Sequence, residues 1–284
     1  MKELTVRALT GALFLIVMVG GMVWNPMTFG LLFTVVTALS LWEFYGLANG
    51  QPGVEVNRLI ATTAGTYMFV AFFAASAGVE GLSVVLLFLP WLITLIYLVV
   101  SELYLRHENP LHCWAYAMWG QLYVALPFAL LPLLYFGYSW FMPLAVFIFL
   151  WCNDTGAYCT GSLLGRHKLF PRISPGKSWE GSVGGALLCI GVSQIIVFAG
   201  PADAGSTDGL TVFGLNALQW AGFALVVVLF GTWGDLVESL FKRTIGVKDS
   251  GHILPGHGGM MDRFDSALMA IPAVVVYLLT LELL

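Results

Sequence analysis

Nine apolar stretches, each about 17–25 residues long, leave this chain few ways to fold. They run at about 8–24, 27–47, 59–77, 82–104, 114–136, 140–160, 182–200, 213–236 and 264–284. Runs of that length match the hydrocarbon thickness of a bilayer. In lipid a backbone must bond its own N–H and C=O groups, so such runs are expected to be helices. Charge is scarce in the way this requires. Only 10% of the 284 residues are charged and 59% are hydrophobic, whereas a soluble domain carries about a quarter charged residues. The expected fold class is all-α: a polytopic membrane protein with about nine transmembrane helices.

The basic residues give the layout an orientation. With the N-terminus placed in the cytoplasm and the sides alternated, the inside segments hold Lys2, Arg7, Arg58, Arg106, Arg166, Lys168, Arg172, Lys177, Lys242, Arg243, Lys248 and Arg263. Those are all 12 Lys and Arg residues of the chain. The outside segments hold only acids, among them Glu80, Asp203, Asp208 and Glu282. Positive charge stays on the cytoplasmic side of short loops. Miscounting one middle helix would reverse the later loops and break the pattern. The expectation is therefore N-terminus inside and C-terminus outside, in the plasma (inner) membrane. Lys2 and Arg7 followed by an apolar run resemble a signal peptide. The run exceeds the usual h-region of about 7–15 residues and no A-x-A site follows, so it is expected to be a retained first helix.

Chemistry is expected in the second half. Residues 1–137 read as a helical scaffold with possible lipid access, and residues 138–284 as the catalytic half with inside loops 161–181 and 237–263. Those loops hold Arg166, Lys168, Arg172, Lys177, Lys242, Arg243, Lys248 and Arg263 and are rich in Gly, His and Asp. Cys113, Cys152, Cys159 and Cys189 show no CxxC spacing and read as reduced structural thiols. No HExxH is present, and His252 and His257 lack thiol partners, so no zinc site is expected. His107 and His112 read as interfacial residues. Glu43, inside the second apolar run, reads equally as a buried polar contact or a cavity residue.

Asp235, Glu238 and Lys242 are spaced three and then four apart, which puts them on one helix face. Asp235 sits near the end of an apolar helix, where a charge needs a partner or a wet cavity. Asp262 and Asp265 are also three apart, at the start of the last helix, where the dipole favours carboxylates. Clusters of carboxylates select hard cations, and Mg²⁺ keeps waters and substrate phosphates in its shell. Lys242, Arg243, Lys248 and Arg263 supply charge for phosphates. Pro255-Gly256-His257-Gly258-Gly259 is a turn whose N–H groups can approach a phosphate closely. His257 suits phosphate binding or turn stabilisation better than a catalytic base. In the earlier loop Asp154 ends a helix, and Gly176-Lys177-Ser178 resembles a Walker A ending. The upstream glycine is missing and no strand is expected ahead of it, so a P-loop is rejected.

Together these residues carry a resemblance. Ser239, Lys242-Arg243, Lys248-Asp249, His257-Gly258-Gly259, Asp262-Arg263 and Asp265 are similar to the signature of the phosphatidate cytidylyltransferases, or CDP-diacylglycerol synthases, at every position. Asp154, Gly165-Arg166, Ser174-Pro175-Gly176-Lys177 and Glu180-Gly181 also resemble that family. The first 140 or so residues resemble it only in hydrophobicity. The resemblance implies that CTP and phosphatidic acid give CDP-diacylglycerol and pyrophosphate, with Mg²⁺ required; two metal ions, the second of open identity, would clamp the attacking and leaving oxygens.

On that reading Asp235, Asp262 and Asp265 hold metal. Lys177, Lys242, Arg243, Lys248 and Arg263 meet phosphates, and His257, Gly258 and Gly259 shape the nucleotide pocket. Asp154 and Asp249 are second choices, as ligands or as salt-bridge partners. The partners implied are CTP, phosphatidic acid and the lipid bilayer. No basic patch interleaved with aromatics suggests nucleic acid, and small residues in the helices permit a homodimer. Two other classes fit less well. A CDP-alcohol phosphotransferase would begin its pattern Asp-Gly, which is not found. An anion transporter would place charges near the midplane, commonly with inverted repeats.

Overall fold

The computed structural model describes residues 2–79, 81, 83–200, 211–251, 253 and 258–283, with the side chains of 2–8 left aside. Among the described residues, each of the nine apolar stretches is mostly helical, although the eighth becomes helix only from Ala217. Six helical stretches are long and apolar enough to cross a membrane: Pro26–Ala48, Arg58–Ser76, Val84–Leu105, Pro110–Gly137, Trp179–Ala199 and Ala217–Thr244. Leu9–Val23 and Ala267–Leu283 are shorter apolar helices. The chain divides into two compact units, residues 1–137 with 244–264, and residues 138–243 with 265–284.

The first unit contains α1 (Lys2–Val23), α2 (Pro26–Ala48), α3 (Arg58–Ser76), α4 (Val84–Leu105), α5 (Pro110–Trp119), a π-helical turn (Gly120–Ala125) and α6 (Leu126–Gly137). The break between α1 and α2 at Asn25-Pro26 is a full capping box. Asn25 accepts from the Thr28 N–H, Thr28 accepts from the Asn25 N–H, and Pro26 opens the helix. α3 packs against α2, α4 and α6. The core is aromatic, with Phe29, Phe33, Phe69 and Phe128 all fully buried. The fifth apolar stretch carries Pro127 and Pro132, and its irregularity, the π turn, comes before both. Gln121, in the π turn, donates to the Ala61 carbonyl at 2.8 Å and to the Tyr45 hydroxyl at 2.9 Å. Tyr45 in turn donates to the Ala117 carbonyl at 2.8 Å. A Cβ at Gly120 would run into the Tyr45 ring, so this crossing needs glycine. A π turn of this kind re-aims side chains within a helix.

The second unit contains α7 (Phe141–Leu164), β1 (Lys168–Phe170), β2 (Ser174–Ser178), α8 (Trp179–Ala199), most of α9 (Ala217–Thr244) and α10 (Ala267–Leu283). The helices are consistent with the all-α expectation, and one small strand pair is added to them here. β1 and β2 form a small antiparallel hairpin, with Lys168 opposite Ser178 and Phe170 opposite Ser174. The Gly176-Lys177-Ser178 triplet is itself strand, leading directly into α8. Ser178 caps α8 by accepting from the Gly181 N–H at 3.1 Å. Glu180 braces the hairpin base, accepting from the N–H groups of Arg166 and His167 at 3.2 Å and meeting His167 Nδ1 at 2.6 Å. α7 and α8 come close enough that a Cβ at Gly156 would lie 2.9 Å from the Gly185 Cα. Small residues allow such approach where lipid supplies no hydrophobic drive. Trp220 and Phe223 of α9 pack with Phe149 of α7 in the buried core.

Candidate functional site

Two groups of carboxylates occur where the sequence places its chemistry, one in each unit. In the second unit, Gly234 on α9 lies against the chain entering α10. A Cβ there would sit 2.7 Å from the Asp265 carbonyl and 2.9 Å from that of Ser266. That close approach sets Asp235, the next residue, within electrostatic reach of Asp265. Asp154 of α7 acts on Asp265 as well, and Lys242 opposes both. Asp265 Oδ1 accepts from the Ser266 N–H at 2.6 Å. Asp235 accepts from Ser239 Oγ, one turn on, at 3.1 Å.

The cation of this group comes from the hairpin. Lys177 Nζ pairs with Asp235 Oδ2 at 2.6 Å and reaches the Thr232 carbonyl at 3.5 Å. Both side chains of the pair are about three-quarters covered (26% and 28% exposed). Beside them opens a cavity of about 410 Å³, lined by Asn153, Asp154, Tyr158, Lys177, Ser178 and Thr232 among others. The volume falls within the range of small-molecule sites, roughly 300–1,000 Å³. Asp154 is exposed to this space. Three carboxylates served by so few cations form an oxygen-rich donor set that suits a hard divalent ion.

Lys242 lies in the last turn of α9. Its Nζ pairs at 2.6 Å with Glu238, whose side chain is wholly buried. Arg243 ends α9 exposed, and Lys248 and Asp249 are exposed in the loop beyond.

The first unit holds the second group. Glu43 of α2 is buried at 5% exposure. Its carboxylate accepts from the Met260 N–H at 2.8 Å, the Met261 N–H at 2.9 Å and Ser250 Oγ at 2.9 Å. Asp262 adds a second clamp on the same loop. It accepts from the Ser250 N–H at 2.9 and 3.0 Å and from the Gly259 N–H at 2.8 Å, while its own N–H donates to Ser250 Oγ at 3.3 Å. A Cβ at Gly251 or Gly259 would collide with the Glu43 carboxylate, so the loop closes over it only with glycine there. Gly258 has φ +83°, a left-handed turn that favours glycine. Phe264 anchors the far end, buried against Phe14 and Phe128. Arg263 is exposed on the short 3₁₀ turn Met261–Arg263. His257 lies outside the described residues.

Sequence reasoning left Glu43 undecided, and the structure makes it the keystone of the signature loop. Its partners are more than 200 residues away, with 207 separating it from Ser250. A carboxylate in a membrane helix was the available signal. Asp262 has a clamping role that spacing did not suggest. A carboxylate offers about four lone-pair sites, so this role is compatible with metal binding.

Comparison with known proteins gives the family. Residues 5–281 match the model of the cytidylyltransferase family. A Staphylococcus aureus (strain COL) protein named phosphatidate cytidylyltransferase is 43% identical over 136 residues, 48% of each chain. Its namesake in Staphylococcus haemolyticus (strain JCSC1435) is also 43% identical over 136 residues and 48% of each chain. One from Staphylococcus saprophyticus is 44% identical over 138 residues, again 48% of each. These alignments span about half the length of the curated relatives.

Proposed function

Because this chain belongs to the cytidylyltransferase family, we propose that it is the nucleotidyltransferase that joins CTP to phosphatidic acid, giving CDP-diacylglycerol and pyrophosphate. The observation that carries this reading is the grouping of Asp154, Lys177, Asp235 and Asp265, with Asp154 and Lys177 lining the cavity.

The reaction brings two polyanions together. A phosphatidate oxygen forms a bond to the α-phosphorus of CTP as the bond from that phosphorus to the β-phosphate oxygen breaks. No covalent enzyme intermediate is needed, since positioning and electrostatics suffice. Asp235 and Asp265, with Asp154, are the proposed Mg²⁺ ligands, and Asp262 is proposed as a further metal ligand. The ion, when bound, offsets charge on the phosphates. Lys177 is held by Asp235 at the cavity edge, where its ammonium meets incoming phosphate. Arg243, Lys248 and Arg263 are exposed and available to the pyrophosphate end of the nucleotide. Lys242 acts through Glu238, keeping that buried acid paired. Gly258 and Gly259, the latter held by Asp262, let the chain pass close to the nucleotide without side chains in the way, with His257 beside them in sequence.

The topology proposed with this function is nine spans, N-terminus inside and C-terminus outside, with the site on the cytoplasmic side of the inner membrane. It rests on the segregation of the basic residues. The substrates are CTP and phosphatidic acid drawn from the bilayer, with no nucleic acid, and a homodimer is compatible with the small helix residues.

The test is pyrophosphate release by purified protein in detergent with phosphatidic acid and Mg²⁺, comparing CTP with ATP, GTP and UTP. Release that needs both CTP and the lipid, and stops with EDTA, supports the reading. Folded protein that releases pyrophosphate with no nucleotide overturns it.

A further inference from the structure

A second constellation lies away from the family signature, where α4 ends and α5 begins in the first unit. The chain reverses through residues 106–109. Arg106 takes a left-handed conformation at φ 53°, unusual for a residue with a side chain. Asn109 then caps α5, accepting from the His112 N–H at 3.3 Å. This reversal folds His107 back beside Glu102, in the last turn of α4, and Cys113, in the first turn of α5. His107 Nδ1 lies 2.8 Å from Glu102 Oε2 and 3.8 Å from Cys113 Sγ. The three donor atoms all lie within 4.8 Å of one another. Cys113 is 1% exposed and Glu102 is 8% exposed.

The geometry separates two chemistries. A nucleophilic relay needs the acid on one ring nitrogen and the thiol on the other. Here both face Nδ1, so His107 cannot be oriented by Glu102 and deprotonate Cys113 through opposite nitrogens. Three different donors turned towards one point are the arrangement of metal ligands. Zinc bonds of about 2.0–2.3 Å in a tetrahedron leave ligands roughly 3.2–3.8 Å apart, close to the spacing seen.

The surroundings fit as well. The other ring nitrogen, Nε2, faces Glu55 Oε2 at 3.7 Å, the outer carboxylate that commonly orients a ligating histidine. The Glu55 peptide N–H donates to Cys113 Sγ at 3.3 Å, which suits a sulfur carrying negative charge. A divalent ion would neutralise one thiolate and one carboxylate exactly where burial makes uncompensated charge costly. A cavity of about 420 Å³ opens alongside, lined by Asn49, Asn57, Ser101 and Glu55 among others, and leaves room for water in a fourth position.

We propose that Glu102, His107 and Cys113 bind one Zn²⁺ ion, with Glu55 orienting the histidine and water completing the tetrahedron. The ion ties the end of α4 to the start of α5 and to the loop carrying Glu55. It is separate from the carboxylates proposed for Mg²⁺ and does not depend on the transferase reading.

The experiment uses the full chain in detergent, stripped with chelator and held in excess Mg²⁺ so that hard-cation sites are filled. Co²⁺ is titrated as the optical probe and Zn²⁺ is then added in competition. The expected result is a thiolate-to-cobalt charge-transfer band saturating at one equivalent and erased by Zn²⁺. Cys113→Ser should lose the band and His107→Gln should weaken metal affinity at least 10-fold, while Cys159→Ser and Asp265→Asn keep both. Absence of the band in monodisperse wild-type protein overturns the proposal, whatever the variants do. A band that survives in Cys113→Ser, or disappears in Cys159→Ser, overturns it too.

Discussion

Glu43 and Asp265 are both carboxylates set in apolar surroundings, yet they are satisfied in opposite ways. Glu43 receives two peptide N–H groups and a hydroxyl, all from the loop between residues 250 and 261. Asp265 has its neighbouring N–H and the field of two further carboxylates, Asp235 and Asp154. A carboxylate filled by backbone donors holds structure in place. A carboxylate facing others of its kind is poised to take a cation. The difference teaches that acidic residues of one signature need not share one task.

The strongest challenge to this contrast is replacement within the second unit. Asp265→Asn should lower turnover by about 10³-fold or more, since a cation ligand is lost where charge develops. Thermal stability should hold or rise, because repulsion from Asp235 is relieved. Initial-rate assays beside melting curves check both parts. Asp262→Asn sharpens the boundary between the groups. Its remaining carbonyl can still accept the Ser250 and Gly259 N–H groups, so the loop should keep its protease resistance. Turnover should fall about 100-fold or more if Asp262 also serves the metal. Retained activity with an intact loop would assign Asp262 wholly to the first group.

Glu43→Gln tests the clamp itself. One oxygen becomes an NH₂ that faces a donor, leaving a buried group unpaired at a cost of about 2–3 kcal/mol. Proteolysis within residues 244–264 should quicken, and activity should drop about 10-fold while its Mg²⁺ half-saturation stays unchanged. A shifted Mg²⁺ dependence would break the contrast, because it would make Glu43 part of the cation site. The smallest effect is expected from Lys177→Met. Losing one partly exposed phosphate contact should raise KM for CTP by about 10-fold with a lesser change in kcat.

Much of this architecture is legible in the sequence because hydrophobic length is a local property. Among the described residues the nine apolar runs are mostly helix, and a capping box closes the turn at Asn25-Pro26. The π turn at Gly120–Ala125 was invisible because it answers to Gln121 reaching Tyr45 and Ala61, contacts 76 and 60 residues distant. The hairpin escaped notice because Ser174-Pro175-Gly176-Lys177-Ser178 has no strand-like alternation, and its base is set by Glu180. In the site, the identity of Asp235 and Asp265 was readable from spacing. The pairing of Lys177 with Asp235 was not, since a lysine's partner depends on where two distant elements meet. Glu102, His107 and Cys113 matched no metal spacing because a left-handed reversal at Arg106 brings them together.

The most direct measurement is CDP-diacylglycerol formation from CTP and phosphatidic acid as Mg²⁺ is varied, for the wild type, Asp265→Asn and Glu43→Gln in parallel. The account predicts a saturable Mg²⁺ response in the wild type, turnover lower by about 10³-fold or more from Asp265→Asn at every Mg²⁺ concentration, and an unchanged midpoint with a lower plateau from Glu43→Gln. Product from Asp265→Asn at the wild-type rate and midpoint would contradict it.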